Sequence, residues 1–284
     1  MATHNDFIKD ITISKMQWKL KVRVVRLWEV PDRYNSDTTF SIELVLQDEK
    51  ENRIQASIGK SVLHLFKTQI NELELYVMAY FIVCQNKERF KITKHNLRLT
   101  FTQRTTVAEI SDPLFPMNIF DLRPYDQLIN KVDVDETELF DLIGEIVSFS
   151  EVKRHIQAGI STKFMNIELE DYERNKLSAT FWGKFVDQIV PHLLNSNNQP
   201  IVVVMQLIKA HKFQDSYFVR NTWNTSKLWI NPNFSQYDEL ISVRDNYSER
   251  LTQTISQQSY SVSEELAKDV VQVKIIGELM EFMQ

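Results

Sequence analysis

From Gln17 to Val30 (QWKLKVRVVRLWEV), Leu20, Val22 and Val24 alternate with Lys19, Lys21 and Arg23. A period of two belongs to a strand with one apolar face, and it reads the cationic row as a solvated face. Residues 31–37 (PDRYNSD) read as a loop. Thr39–Gln47 alternates again and runs into the turn-like Asp48–Asn52, and Arg53–Ile58 predicts a third, short strand. Over Ser61–Ile70 the spacing becomes helical, with Val62, Leu65, Phe66 and Ile70 on one side and Ser61 placed to cap. Leu73–Cys84 and Phe90–Thr102 predict two more strands. The same order recurs roughly 120 residues later, which marks a duplicated unit. Leu139–Phe149, Phe164–Glu170 and Lys176–Trp182 predict strands, Lys184–Leu194 a helix, Ile201–Ala210 a strand, and Ser216–Trp229 contains the last.

A helix between strands three and four of a small all-β unit suits an OB barrel, whose open end it plugs, although the pattern also permits other small barrels. The expected fold class is mainly β: two tandem OB-fold, five-stranded Greek-key barrels over residues 1–112 and 138–245. A linker, 113–137, joins them, and a helical extension over 246–284 follows. Gly144, inside a long strand, reads as the site of a bulge or bend. The linker carries Pro113, Pro116 and Pro124, but its aromatics Phe115, Phe120 and Tyr125 predict that it packs on something.

Composition narrows the chemistry. Five glycines in 284 residues leave little room for a Gly-rich phosphate loop. The single cysteine, Cys84, sits in an apolar run, reads as a small buried side chain, and fits a reducing compartment. The longest apolar stretch, about ten residues, is too short to span a bilayer, and the first ten residues lack a signal-peptide core. The expectation is a soluble, intracellular protein with no membrane partner. The six histidines show no metal-ligand spacing, and neither a nucleotide-binding loop nor a nucleophile elbow occurs. No catalysis, metal or cofactor is therefore expected. The net charge of −5 is uneven: residues 1–112 hold 17 Lys/Arg against 14 Asp/Glu, and the remainder 16 against 24. Attraction for phosphate depends on the field over a groove, so the total does not decide the matter.

The segments WKLKVRVVRLWEVP, FSIELVLQD, RIQASI and KITKHNLRLTF resemble the first DNA-binding barrel of replication protein A large subunits, plant types especially. LFDLIGEIVSFSE, KLSATFWGK and KLWINPNF resemble the second, and order and spacing match over roughly residues 15–245. The resemblance implies sequence-tolerant single-stranded DNA binding in replication, repair or recombination, in the nucleus, with bases stacked on aromatics in a cationic groove. RNA is the alternative ligand. In the second barrel it places Trp182 and Phe213 at stacking positions and Lys209 at a basic one. In the first it places Arg26 and Trp28 between strands one and two, Phe90 at the start of strand five, and Arg98 where it would make the groove more cationic. Trp28 could instead close the barrel. Ile58-Gly59 occupies the position equivalent to Trp182, so the first barrel is expected to lean on charge and the second on stacking. The family's N-terminal protein-interaction barrel has no counterpart, and Val273–Met280 resembles the lead-in to a third barrel that does not follow. The chain reads as a piece of a longer protein or a shortened paralogue. Other subunits of a replication protein A-like complex could dock on the C-terminal helical region. The competing reading is an OB-fold interaction scaffold or subunit with weak or no nucleic-acid binding.

Overall fold

The computed structural model describes residues 5–15, 17–195, 200–232 and 252–254, the last three by backbone only. The first unit is built from β1 (Lys19–Pro31), β2 (Thr39–Gln47), β3 (Arg53–Gly59), α1 (Leu63–Phe66), β4 (Leu75–Ala79), β5 (Ile82–Gln85), β6 (Leu97–Thr100) and β7 (Thr106–Glu109). β4 and β5 are halves of one strand broken around Tyr80, whose φ is +66°. β1 pairs β2 and β2 pairs β3 antiparallel, β3 pairs β6 in parallel, β6 pairs β5, and β4 returns to β1. The ring is a closed five-stranded OB barrel, and Leu20, Val22 and Val24 point into its core with no exposure.

Three local expectations are corrected. The helix over Ser61–Ile70 shrinks to the single turn of α1, and Ser61 does not cap it, because Val62 takes that place without a side-chain bond. One turn is enough to bury Val62, Leu63 and Phe66, and the chain then tightens through a Gln69 N–H to Phe66 carbonyl bond of 3.0 Å. The strand expected over Phe90–Thr102 forms only at β6, since residues 86–96 are an irregular excursion closed by Asn86 N–H on the Asn96 carbonyl at 2.9 Å. The cationic row of β1 is not solvated. Lys21 pairs with Asp112, and Arg23 is buried, donating to the carbonyls of Leu73 (2.7 Å) and Pro116 (3.3 Å). Both cations lie over the ring of Phe115, so the linker covers this face as its aromatics predicted.

The second unit repeats the plan with α2 (Tyr125–Ile129), β8 (Leu139–Ser150), β9 (Lys153–Gln157), β10 (Ile160–Glu170), β11 (Lys176–Trp182), α3 (Lys184–Leu194), β12 (Val202–Phe213), β13 (Ser216–Arg220), β14 (Lys227–Ile230) and β15 (Thr252–Thr254). The ring runs β8, β10, β11, β13, β12 and back to β8, again with strands three and five parallel. α3 buries Phe185, Val186, Ile189 and Leu193 against the barrel end. Gly144 is not the bulge: the register slips at Val147, between the pairs Glu168–Ser148 and Leu169–Ile146. Gly144 is needed because any Cβ there would collide with the hydroxyl of Tyr125, which α2 buries against the barrel. Residues 252–254 of the expected helical extension form a strand parallel to β8. The rest of that extension, and Val273–Met280, lie outside the described residues.

The two barrels share a third core. Val25, Trp28 and Val45 from the first meet Leu139, Val204 and Leu207 from the second, with Ile119 and Phe120 of the linker between them. Two bulges face each other there. β1 carries an extra residue at Val25, and β12 is irregular between Met205 and Ile208, with Leu207 at φ +54°. Gln206, buried, donates to the Val25 carbonyl at 3.2 Å. Burying a large apolar side chain contributes roughly 1.5–3 kcal/mol, against about 0.5–1.5 kcal/mol for immobilising one, so this junction is a core and not a hinge.

Candidate nucleic-acid interface

A single open cleft of about 1740 Å³ runs across both barrels. Sites for small molecules are typically about 300–1,000 Å³, so this one suits a polymer. Its walls hold seven Lys/Arg (Arg26, Arg89, Lys163, Lys184, Lys209, Arg220, Lys227) against three acids (Glu43, Glu88, Asp187), which makes the cleft cationic on a chain of net charge −5.

Lys209 and Arg220 are cross-strand partners on β12 and β13, and Arg89 of the first barrel lies near the same Phe90 ring as Lys209, its Cζ 5.5 Å from the ring centre. Among the described residues none of the three has a carboxylate within ion-pair distance, and Arg220 Nε is buried without a hydrogen-bond partner. Burial, then Arg220 and Arg89, hold the Lys209 ammonium below the ordinary lysine range, with Glu136 acting weakly the other way. Lys209 Nζ stands 4.7 Å from the Phe90 ring centre, so the two barrels touch through this pair.

Trp182 ends β11 on the cleft wall. Phe164 supports its indole as a cross-strand neighbour, 4.8 Å centre to centre and 23° from parallel, and His155 meets it edge-on. The ring is half-buried, and Asn221 accepts the Trp182 N–H at 2.8 Å, which fixes where the strand ends. Above it the β9–β10 hairpin lines the cleft from Gln157 to Lys163, with Lys163 tied to Asp187 at 2.7 Å.

The other expected positions fall differently. Phe90 lines the cleft but lies in the irregular excursion before β6, half-buried on the shared core and covered by Lys209. Trp28 is 6% exposed within that core and offers no free ring face. Arg26 is 7% exposed: it pairs with Glu72 at 2.8 Å and donates to the Thr225 carbonyl at 3.1 Å. Glu72 also binds Lys227; burial pushes its carboxyl up, but Arg26, Lys227 and the Leu27 N–H outweigh that and hold it below the usual range. Arg98 adds no net positive charge, being paired with Glu43 (3.1 Å) and Glu88 (2.7 Å). Phe213 is exposed at the tip of the β12–β13 hairpin and does not line the cleft. The expected division of labour therefore fails. Free charge and aromatic faces gather on the second barrel and at the junction, while the cations of the first barrel's floor are neutralised in place.

The fold has known counterparts. The chain aligns with a chain of a replication protein A heterotrimer bound to single-stranded DNA at a TM-score of 0.59 and 18% identity, covering 86% of this chain and 56% of that one. It thus spans little more than half the length of that chain, and at this identity the likeness establishes the tandem OB fold. DNA-binding domain A of replication protein A from S. cerevisiae aligns over 38% of this chain and 95% of its own, at a TM-score of 0.32 and 18% identity. The first HIN domain of p202, in complex with duplex DNA, aligns over 78% and 98% at 0.41 and 14%. The family described as "Domain of unknown function DUF223" matches residues 9–131. No curated protein sequence matches the chain.

Sequence reading missed Arg89, Arg220 and Trp223. Arg89 was hidden because the strand expected there does not form. Arg220 had a legible signal, a lone cation between Val219 and a turn, but its partner across the ladder was not. Trp223, 78% exposed on the cleft wall, follows β13 in a loop whose fixed shape depends on contacts far away in sequence.

Proposed function

We propose that this protein binds single-stranded nucleic acid, DNA foremost, along the cleft that crosses both barrels. The observation carrying the proposal is the trio Lys209, Arg220 and Arg89, with no carboxylate of the described residues within ion-pair distance, on the same cleft as the supported indole of Trp182. Clustered like charges repel, and an anion set among them relieves the repulsion. A flat ring on the same cleft selects a polyanion whose bases are unpaired and free to stack, an interaction worth about 1–3 kcal/mol per base. Acidic residues dominate the second half as a whole, but the cleft's own balance favours phosphate. Resemblance to replication protein A subunits extends the proposal to a nuclear role in replication, repair or recombination, with further subunits as partners.

The test is a salt titration of oligonucleotide binding. Each phosphate contact on a single strand contributes about 0.7 to the slope of log K against log salt. Lys209→Gln with Arg220→Gln should therefore lower the slope by about 1.4 and weaken binding at low salt. Duplex of the same length should compete poorly. An unchanged slope in the folded double variant would remove these residues from the interface.

A further inference from the structure

Trp223 is 78% exposed on the cleft wall, yet the loop bearing it is anchored on both sides of it, at Asn221 and Thr222 before and at Thr225 and Ser226 after. Asn221 accepts the Trp182 N–H and donates to the Trp182 carbonyl at 3.3 Å, anchoring the loop's first residue to the end of β11. Thr222 and Ser226 close it upon itself: the Thr222 N–H donates to Ser226 Oγ at 2.8 Å and the Ser226 N–H to Thr222 Oγ1 at 3.1 Å. Ser226 Oγ donates in turn to the carbonyl of Leu207 in the β12 bulge at 2.6 Å. The last anchor crosses from the other barrel, where Arg26, itself braced by Glu72, donates to Thr225. A connection with no task beyond linking β13 to β14 needs no such network. With the backbone already fixed, a base settling on the ring has only its two side-chain torsions left to immobilise.

We propose that Trp223 is a second base-stacking platform, placed at the junction of the barrels, and that Arg26 is a positioning residue that holds it there without touching the ligand. Trp182 and Trp223 both line the cleft: Asn221, bonded to Trp182, lies two residues before Trp223, and Thr225, held by Arg26 of the first barrel, lies two residues after it. The assignment rests on the nucleic-acid reading and adds a contact to it. It also gives buried Arg26 a role that phosphate binding cannot supply.

The experiment measures anisotropy of a labelled oligo-dT of about 20 nucleotides, long enough to occupy two OB folds at about 4–16 nucleotides each. Trp223→Ala should weaken binding about tenfold, within the range of one base-on-ring stack, and Trp223→Phe should recover most of the loss. Arg26→Lys keeps a charge toward Glu72 but loses the fork that reaches Thr225. It should cost a similar factor, and the double variant should bind no more weakly than either single one, as expected of two residues acting as a unit. Thermal melts establish that each variant folds. If Trp182→Ala weakens binding and Trp223→Ala leaves it unchanged, the inference falls while the nucleic-acid reading stands. If Arg26→Lys and Trp223→Ala losses simply add, Arg26 does not act through the loop. If the unaltered protein binds no single strand at all, the nucleic-acid reading fails first.

Discussion

Tyr125 and Gly144 show how closely single residues are fitted here. The Tyr125 hydroxyl is buried against Gly144 and, among the described residues, has no hydrogen-bond partner. Burial raises its pKa far above the ordinary tyrosine value, so it stays protonated at any working pH. A buried hydroxyl without a partner costs about 1–3 kcal/mol, so Tyr125→Phe should leave stability unchanged or raise it. Gly144→Ala should destabilise by about 1–3 kcal/mol through overpacking, and Tyr125→Phe should rescue part of that loss by removing the colliding atom. Denaturant melts of the two single variants and the double variant check the coupling. A Gly144→Ala penalty untouched by Tyr125→Phe would place the collision elsewhere. In the sequence Gly144 was visible as an oddity in a strand, but its reason was not, because Tyr125 reaches it from a helix outside the barrel.

At the scale of elements, alternating strands and the amphipathic helix were legible almost to the residue: β2, β11 and α3 fall on the expected bounds, and β1 and β3 within a residue or two. What failed were elements whose extent depends on closing contacts. α1 stops after one turn, and the segment before β6 stays irregular although its composition is strand-like. The β12–β13 hairpin carries a functional expectation of its own. Phe213 lies at its tip outside the cleft, whereas Trp182 lies inside it. Phe213→Ala should therefore change oligonucleotide affinity less than about twofold, and Trp182→Ala by about tenfold, the latter within the range of one stack. Equal losses would mean that the hairpin folds down over bound nucleotides and that Phe213 joins the site only then.

For the whole molecule, the shared core makes two barrels one body. Asp141, buried at this junction, accepts N–H bonds from Asp121 (2.9 Å) and Leu207 (2.8 Å) and faces Arg53 of the first barrel at 3.6 Å. Unfolding should accordingly be a single cooperative transition, with calorimetric and van't Hoff enthalpies in agreement; two resolved transitions would contradict the shared core. Asp141 also sets a pH dependence. Burial pushes its carboxyl from 3.8 up to about 6, against the opposing pull of Arg53 and the two N–H groups. Between those values the folded chain binds more protons than the unfolded one, so this group's contribution makes stability fall as pH rises from about 4 to about 6 and level off above. Asp141→Asn cannot ionise and should lack that slope. The difference in Tm between the two proteins should therefore shift in the variant's favour across that window and stay flat above pH 7. A constant difference would exclude Asp141 as the responsible group.

By itself the sequence determined which residues alternate, and hence two small β units in one order, repeated, with Trp182 and Lys209 on the second. Alternation is a local property and survives in one dimension. Only the tertiary structure decided which rings and charges remain available. Trp28, Arg26 and Arg98 were spent on the junction and on internal ion pairs, while Arg89, Arg220 and Trp223 were left facing the cleft. Availability depends on what packs opposite a side chain, and for Arg26 that neighbour lies 199 residues further along the chain.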